Sequence, residues 1–272
     1  MTDIAEPVSS IHDKEEEFHD RWAESIDLDE ILVDESFTAE TAFENRFCLT
    51  QMGDLAGRKI LDLGCGAGEA AVYFAKKGAH VVATDLSAGM LDVAARLAEM
   101  HGCSIETIKA PAEDLPLDDE SFDIVYGANV LHHVDIAKAL DETRRILRPN
   151  GLGLFIEPLT YNPVINVYRR LADTVRTVDE HPLRLRDLRL FEERFARVEH
   201  RETWLCTLYL FIWFFLVERA HPSRVRYWKK AIRDSHKHRA GIGVAQKLDN
   251  LLLTALPFLR FWCWNTVVCV RK

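Results

Sequence analysis

The chain has 272 residues and a mass of 31.2 kDa, and 48% of its residues are hydrophobic while 28% are charged. This composition is typical of a globular protein with a substantial core, and it argues against global disorder, collagen-like repeats and a small disulfide-stapled fold. The formal net charge of −9 predicts no nucleic-acid partner. The charge is uneven, because residues 1–50 hold 15 acidic and 3 basic side chains, whereas residues 217–247 hold 9 basic and 2 acidic ones.

The first fifty residues are predicted to form an N-terminal helical cap. Phe18, Trp22 and Ile26 recur every four residues and would form one apolar stripe on a helix over 13–26. Residues 1–17 are acidic and lack the apolar segment of a secretory signal. We therefore expect a cytoplasmic protein with reduced thiols, and membrane association stays open.

From residue 59 onward, short apolar strands alternate with helical patterns. Strands are predicted at 59–63, 80–85, 104–109, 122–126 and 152–157, and helices at 69–77, 88–101 and 136–147. This alternation indicates βαβ units and a doubly wound parallel sheet, in which ligands bind beyond the carboxyl ends of the strands.

The regular alternation stops after residue 157. A mixed segment with a helical pattern at 164–175 precedes a sixth strand at 196–205, and a β-branched final strand is predicted at 264–270. The predicted division is therefore a cap at 1–50, a core at 51–205 that includes an acceptor segment at 158–195, a helical insertion or lid at 206–262, and a final core strand at 263–272.

The strongest motif is the glycine-rich turn that follows the first strand. Three glycines, Gly64, Gly66 and Gly68, are each separated by one residue, and a helix begins after them. Such a turn lets the backbone approach a ligand closely at a helix N-terminus. The spacing differs from the GxGxxG dinucleotide fingerprint and Asp62 stands beside the turn, so the motif favours an amino-bearing ligand over a diphosphate and argues against a nicotinamide-dependent oxidoreductase.

Asp85 is predicted to end the second strand, 21 residues after Gly64. A carboxylate at that position can accept hydrogen bonds from both hydroxyls of a ribose, because the two hydroxyls lie on one edge of the sugar. A helix cap or a surface acid is the simpler alternative for this residue.

Five segments in the same order resemble the class I S-adenosylmethionine-dependent methyltransferases, and are most similar to the broad small-molecule group of type 11-like enzymes. They read ILDLGCGAG, VVATDLSAGML, APAEDLPL, FDIVYGANVLHHV and LRPNGLGLFIEP, and they span residues 58–158. The resemblance implies a Rossmann-like, mostly parallel seven-stranded sheet with N-terminal helices and a helical insertion before the last strand. It also implies S-adenosylmethionine as cofactor and S-adenosylhomocysteine as product, and nothing visible requires a metal.

The resemblance further implies roles for matching positions. The glycine turn with Cys65 would cradle the methionine portion of the cofactor, Asp62 or a loop amide would bind its amino group, and Asp85 would hold the ribose. The residues implied beside the adenine and on the sulfonium side are Leu86, Met90, Ala112, Glu113, Asn129 and Val130. The sequence departs from the family at Pro111, where an acid often reaches the adenine amine, so a neighbour such as Glu113 must substitute.

Three further residues are candidates for the chemistry of transfer. His132 and His133 follow the fourth strand, and a histidine can accept a proton from an acceptor hydroxyl or amine. His133 is the preferred candidate of the two. Glu157, at the end of the fifth strand, is another candidate base or substrate anchor, although a buried acid satisfied by backbone N–H groups is the simpler interpretation.

The insertion combines an apolar run with a basic block. Residues 204–217 read WLCTLYLFIWFFLV, fourteen residues where a membrane span needs about twenty. A lid that walls a hydrophobic pocket, a peripheral membrane contact through 204–247 and a dimer interface all fit this composition. The first two predict a hydrophobic acceptor.

The sequence thus predicts methyl transfer to an O or N atom of a small, apolar acceptor. A lipid or lipid-linked acceptor at a membrane surface is the first alternative, and a non-catalytic protein that binds S-adenosylmethionine or a nucleotide is the second. The six cysteines form no Cys-x-x-Cys pair and lack finger-like spacing to histidines, so no metal site is expected. The oligomeric state stays open.

Overall fold

The structure is a computed structural model that describes residues 8–171 and 181–272. Its central element is a seven-stranded sheet. The strands are β1 (Lys59–Leu63), β2 (His80–Asp85), β3 (Glu106–Lys109), β4 (Phe122–Ala128), β5 (Leu147–Pro158), β6 (Arg197–Thr203) and β7 (Asn265–Arg271). Their order across the sheet is β3-β2-β1-β4-β5-β7-β6.

Helices cover both faces of this sheet. In the described residues the α-helices are α1 (Val8–Ala23), α2 (Glu35–Thr38), α3 (Phe43–Met52), α4 (Glu69–Lys76), α5 (Ala88–Met100), α6 (Ile136–Ile146), α7 (Pro163–Leu171), α8 (Leu188–Glu192), α9 (Tyr209–Leu216), α10 (Tyr227–Arg233) and α11 (Arg239–Ala255). The last residues of the helical pattern predicted at 164–175 lie outside the described residues.

The strands β1 to β5 pair in parallel, and β7 pairs antiparallel with both β5 and β6. The doubly wound, mostly parallel seven-stranded prediction is therefore confirmed. The strand order reverses between β1 and β4, which is the point where such sheets form a ligand crevice at their carboxyl ends.

The central strands, such as β1 and β7, are buried on both faces, because successive side chains point to opposite sides and helices cover each side. Ile60 of β1 belongs to a cluster with the side chains of α3, α4 and α5, and the next residue, Leu61, belongs to the opposite cluster with α6 and α8. Packing against helices on both sides holds the strand ends in place, together with the side chains that emerge there.

The chain between β6 and β7 is a helical insertion, as the sequence indicates. Its own core is an aromatic cluster in which Trp204, Phe211, Phe214 and Tyr227 pack together and against Tyr168 of α7. No helix in the residues 8–171 and 181–272 combines the length and the apolar character that a membrane crossing requires.

Most predicted strand boundaries agree with the structure to within two residues, and the largest shift among the strands is at the start of the fifth strand. The helix predicted at 136–147 ends at Ile146, and Leu147 already begins β5, so the Arg-Pro-Asn-Gly segment lies within that strand. The pairing of β5 with β4 shifts register there, because a proline lacks the N–H of a regular ladder and Asn150 adopts a left-handed φ of 62°.

Candidate active site

The three glycines of the turn between β1 and α4 all have positive φ, but their surroundings differ. A Cβ on Gly64 would stand 2.6 Å from a methyl of Val130, and one on Gly68 would stand 2.6 Å from Cβ of Ala94 in α5. A Cβ on Gly66 would meet nothing within 4 Å. Gly64 and Gly68 therefore allow close packing of the protein on itself, whereas Gly66 borders open space that a ligand can enter.

Asp85 ends β2 and organises this turn. Its Oδ2 accepts the N–H of Gly66 at 2.9 Å, and its Oδ1 accepts the N–H of Ser87 at 2.9 Å. A carboxylate offers about four lone-pair positions, so about two remain for other donors. The side chain is partly exposed, which leaves those positions accessible.

Asp62 and Cys65 are buried beneath the turn. Oδ2 of Asp62 accepts the N–H of Ala71 in the first turn of α4 at 2.9 Å. Burial raises the pKa of Asp62 to about 8, and burial also raises the pKa of the Cys65 thiol. Asp62 therefore holds the strand to the helix in this structure, and its predicted contact with an amino group stays a prediction.

The predicted adenine edge lies at the ends of β2 and β3. Ala112 is buried, Met90 is fully buried in the core, and Leu86 is partly exposed. Glu113 accepts the N–H of Asp135 at 3.0 Å through Oε1, but its buried Oε2 has no hydrogen-bond partner among the described residues. A buried carboxylate oxygen without a donor is costly, so this atom fits a ligand that brings an N–H group.

Glu157 and His132 form a buried pair at the ends of β4 and β5. Oε1 of Glu157 accepts the N–H groups of Val130 and Leu131 at 3.0 and 2.8 Å. Its Oε2 lies 2.7 Å from Nδ1 of His132. The carboxylate thereby favours the tautomer with hydrogen on Nδ1, which leaves Nε2 of His132 as a proton acceptor.

Asn129 and His133 flank, along the chain, the segment that carries His132. Asn129 is exposed with a left-handed φ of 59°, and its N–H donates to the carbonyl of Ile156. The side chain of His133 is mostly buried, and its Nδ1 lies 3.3 Å from Glu15 of α1. Burial lowers the pKa of His133, so this ring favours its neutral form.

Helix α1 lies across the strand ends that carry these groups. Asp20 Oδ1 accepts the Ser87 hydroxyl at 2.5 Å and the N–H of Gly89 at 3.0 Å, at the N-terminus of α5. Glu16 pairs with Lys109 at the end of β3 at 2.7 Å. The helical cap predicted from the sequence thus contacts the candidate site directly.

The strand ends, the glycine turn and the buried side chains described above belong to a segment that matches known proteins. A family profile for the type 11 methyltransferase domain matches residues 61–155. Residues 61–155, which run from β1 into β5, therefore match a methyltransferase domain.

Several relatives in sequence are named as methyltransferases. A demethylmenaquinone methyltransferase of Clavibacter sepedonicus is 42% identical over 121 residues, which are 44% of this chain and 48% of the relative. A ubiquinone/menaquinone biosynthesis C-methyltransferase of Bartonella bacilliformis is 35% identical over 111 residues, which are 38% of this chain and 42% of the relative. The chain therefore spans about half the length of these relatives.

Solved structures extend the likeness of fold beyond the profile. A Thermotoga maritima protein, described as a possible histamine N-methyltransferase, has a TM-score of 0.53 and 16% identity over 94% of this chain and 99% of its own. A geranyl diphosphate methyltransferase in complex with geranyl diphosphate and sinefungin has a TM-score of 0.55 and 18% identity over 83% of this chain and 76% of its own. At these identities the comparison supports the fold of the methyltransferase domain alone.

The site fits the adenosyl cofactor that the domain implies. Asp85 has about two spare acceptor positions for two ribose hydroxyls. The unpartnered oxygen of Glu113 fits an adenine amine, and the open space over Gly66 fits the methionine portion. In the part of the chain that the structure describes, no three His, Cys, Asp or Glu side chains are grouped as a metal site.

Several residues near the site carry no recognisable sequence signal. Asp20 of α1 contacts Ser87 at the start of α5, Glu69 follows the glycine turn, and Arg226 of the insertion lies over the ring of Trp22 in α1. The apolar stripe predicts Trp22 as a packing residue only. The contacts of the others join segments more than sixty residues apart, which no local spacing encodes.

Proposed function

We propose that this protein transfers the methyl group of S-adenosylmethionine to a small, apolar acceptor. The observation that carries the proposal is the pair of spare acceptor positions on Asp85 beside the open space over Gly66. The match to the methyltransferase domain supports the same cofactor. S-adenosylmethionine bound there would supply an electrophilic methyl group on a sulfonium.

The contribution of the chain is to align the acceptor and to remove its proton. Alignment alone lowers the barrier substantially when the donor is already reactive. His132 is the group best arranged to take a proton from a hydroxyl or amine, because Glu157 holds its Nδ1 and stabilises the charge that forms on the ring. Glu157 acts as a positioning residue, and His133 remains a candidate for contact with the acceptor.

The acceptor class follows from the site's surroundings and from the relatives. The aromatic cluster of the insertion packs on α7, which directly follows β5, and offers an apolar boundary. Two relatives are named for quinone biosynthesis, and another, from Hahella chejuensis, is named ubiquinone biosynthesis O-methyltransferase. We infer an aromatic or quinol-like ring as the acceptor, methylated at an oxygen, or at a ring carbon activated by a deprotonated hydroxyl.

Calorimetric titration and a labelled-methyl assay test the proposal together. S-adenosylhomocysteine should bind and NADH should not. The label should reach menadiol or a catechol in preference to a strongly polar amine such as ethanolamine. Binding without transfer to any compound of a broad panel would favour the non-catalytic alternative, and binding of NADH alone would overturn the assignment.

A second candidate is transfer to a lipid-linked acceptor at a membrane surface. On α11, Val244, Leu248 and Leu251 form an apolar stripe at helical spacing, and they are 61%, 44% and 64% exposed. The neighbouring turn exposes Phe258, Phe261 and Trp262. Together with the basic block at 217–247, this face has the composition of a peripheral membrane element.

Vesicle co-sedimentation separates the two candidates. The lipid-linked candidate predicts binding to vesicles that contain phosphatidylglycerol, and loss of that binding on Leu251→Glu. Met100→Glu, at an apolar residue of α5 that is 48% exposed, is the matched control. If all three proteins sediment equally, or if the unaltered protein does not sediment, the lipid-linked candidate is excluded. The small, apolar acceptor then remains.

A further inference from the structure

Two cations of the insertion suggest a contact with an anionic group of a ligand. Arg226 and Lys229 lie at the start of α10 and are only partly exposed. Burial lowers the pKa of both groups, which reflects the loss of water around their charges. Among the described residues, no carboxylate oxygen lies within ion-pair distance of either side chain. A partly desolvated cation without such a partner is stabilised by an incoming anion.

The position of these cations is defined by their neighbours. Glu69 immediately follows the last glycine of the turn. Burial raises the pKa of Glu69, and the positive charges of Lys229 and Arg226 oppose part of that rise. Both cations are therefore electrostatically coupled to the glycine turn. With Glu69 ionised, the three side chains still carry one net positive charge, so they favour one additional negative group.

Arg226 also joins the two segments that cover the site. Its guanidinium carbon lies 4.0 Å from the centre of the Trp22 ring, which belongs to α1. Stacking occupies one face of the guanidinium and leaves its N–H edge available for a carboxylate. An anion bound there would contact the insertion directly and strengthen its contact with α1.

We propose that Arg226, assisted by Lys229, binds the carboxylate of the cofactor's amino-acid portion and thereby fastens the insertion over the bound cofactor. The inference rests on the proposed function, because it requires an adenosyl amino acid in this site. The acceptor itself could instead bring an anionic oxygen, and the test below distinguishes these two sources of negative charge.

The test compares S-adenosylhomocysteine with its decarboxylated analogue, which keeps the nucleoside, the thioether and the amine. Calorimetry on the unaltered protein should show roughly 10- to 100-fold tighter binding of S-adenosylhomocysteine, the usual range for a hydrogen-bonded ion pair. Arg226→Ala should remove this preference and leave affinity for the analogue within about threefold. Arg226→Lys should keep part of it, since it preserves the charge but loses the planar fork.

Arg224→Ala is the matched control, because Arg224 is an exposed arginine in the same insertion. It should change neither affinity. If Arg226→Ala lowers the affinity for both ligands equally, Arg226 has a structural role and the inference is overturned. So would unchanged affinity for S-adenosylhomocysteine together with a raised KM for the acceptor, since the anion would then come from the acceptor. Absence of binding to the unaltered protein would instead overturn the proposed function.

Discussion

Asp85→Ala should weaken binding of S-adenosylhomocysteine far more than it weakens the fold. The substitution removes the two acceptor positions that the structure leaves free beside Gly66. Each hydrogen bond from a ribose hydroxyl to a carboxylate contributes about 1.5–3 kcal/mol. The loss of two such bonds corresponds to about 3–6 kcal/mol, or roughly a 10²- to 10⁴-fold increase in Kd.

The same change also removes the acceptors of two backbone N–H groups, on Gly66 and Ser87. The site is partly exposed, so water can replace these bonds, and we expect a stability loss of only about 1–2 kcal/mol. Calorimetry gives the affinity, and thermal unfolding gives the stability of the same samples. Asp92→Ala is the control, because Asp92 is an exposed aspartate of α5.

Asp85→Asn tests the same two ribose hydrogen bonds with a smaller change in the side chain. It keeps the volume of the side chain but replaces one acceptor oxygen with a donor, so its Kd should fall between those of the unaltered protein and Asp85→Ala. If both variants bind within threefold of the unaltered protein while remaining folded, Asp85 does not hold the ribose, and the reasoning is refuted.

Three further substitutions test the surroundings of the site. Gly68→Ala should lower stability by about 2–4 kcal/mol in urea titrations, because it forces a residue with a Cβ to φ 86° and places that atom 2.6 Å from Ala94; a neutral result would contradict the packing role. Asp62→Asn should flatten the pH dependence of stability between about pH 4 and 8, because the folded-state pKa of about 8 lies above the unfolded value, so ionisation costs stability as pH rises through that range. An unchanged slope in urea titrations at pH 5 and 8 would contradict this. Glu157→Gln should lower kcat by roughly 10²-fold, because it removes the negative partner of His132, and should leave the Kd of S-adenosylhomocysteine nearly unchanged; an equal loss in both quantities would indicate a structural role only.

Local pattern was enough to predict the carboxyl end of each strand to within two residues. The first and second strands, 59–63 and 80–85, have the predicted bounds, since a short β-branched or aliphatic run followed by glycine or a capped helix has one local solution. Ser87 caps α5 through its side chain, which accepts the N–H of Met90. The seven-stranded topology came from the resemblance in motif order, and the structure confirms it.

The covering elements could not be placed from sequence, because their contacts are long-range. The apolar run at 204–217 gives no sign of which helix face is buried, and in the structure α9 buries Leu210, Phe211 and Phe214 and exposes most of its other side chains. Which face is buried depends on Tyr168 and Tyr227, which come from other helices. The position of α1 over the strand ends similarly depends on single contacts such as Asp20 with Ser87.

We propose that the groups at the carboxyl ends of β1, β2 and β4 hold a methyl donor and direct its transfer. The most direct measurement incubates the purified protein with S-adenosylmethionine carrying a labelled methyl group and with a panel of reduced quinones and catechols. We expect label in the extracted acceptor, with the signal lost in Asp85→Ala and strongly reduced in Glu157→Gln. Transfer that proceeds at the same rate in Asp85→Ala would contradict it, as would tight binding of the donor without transfer to any ring in the panel.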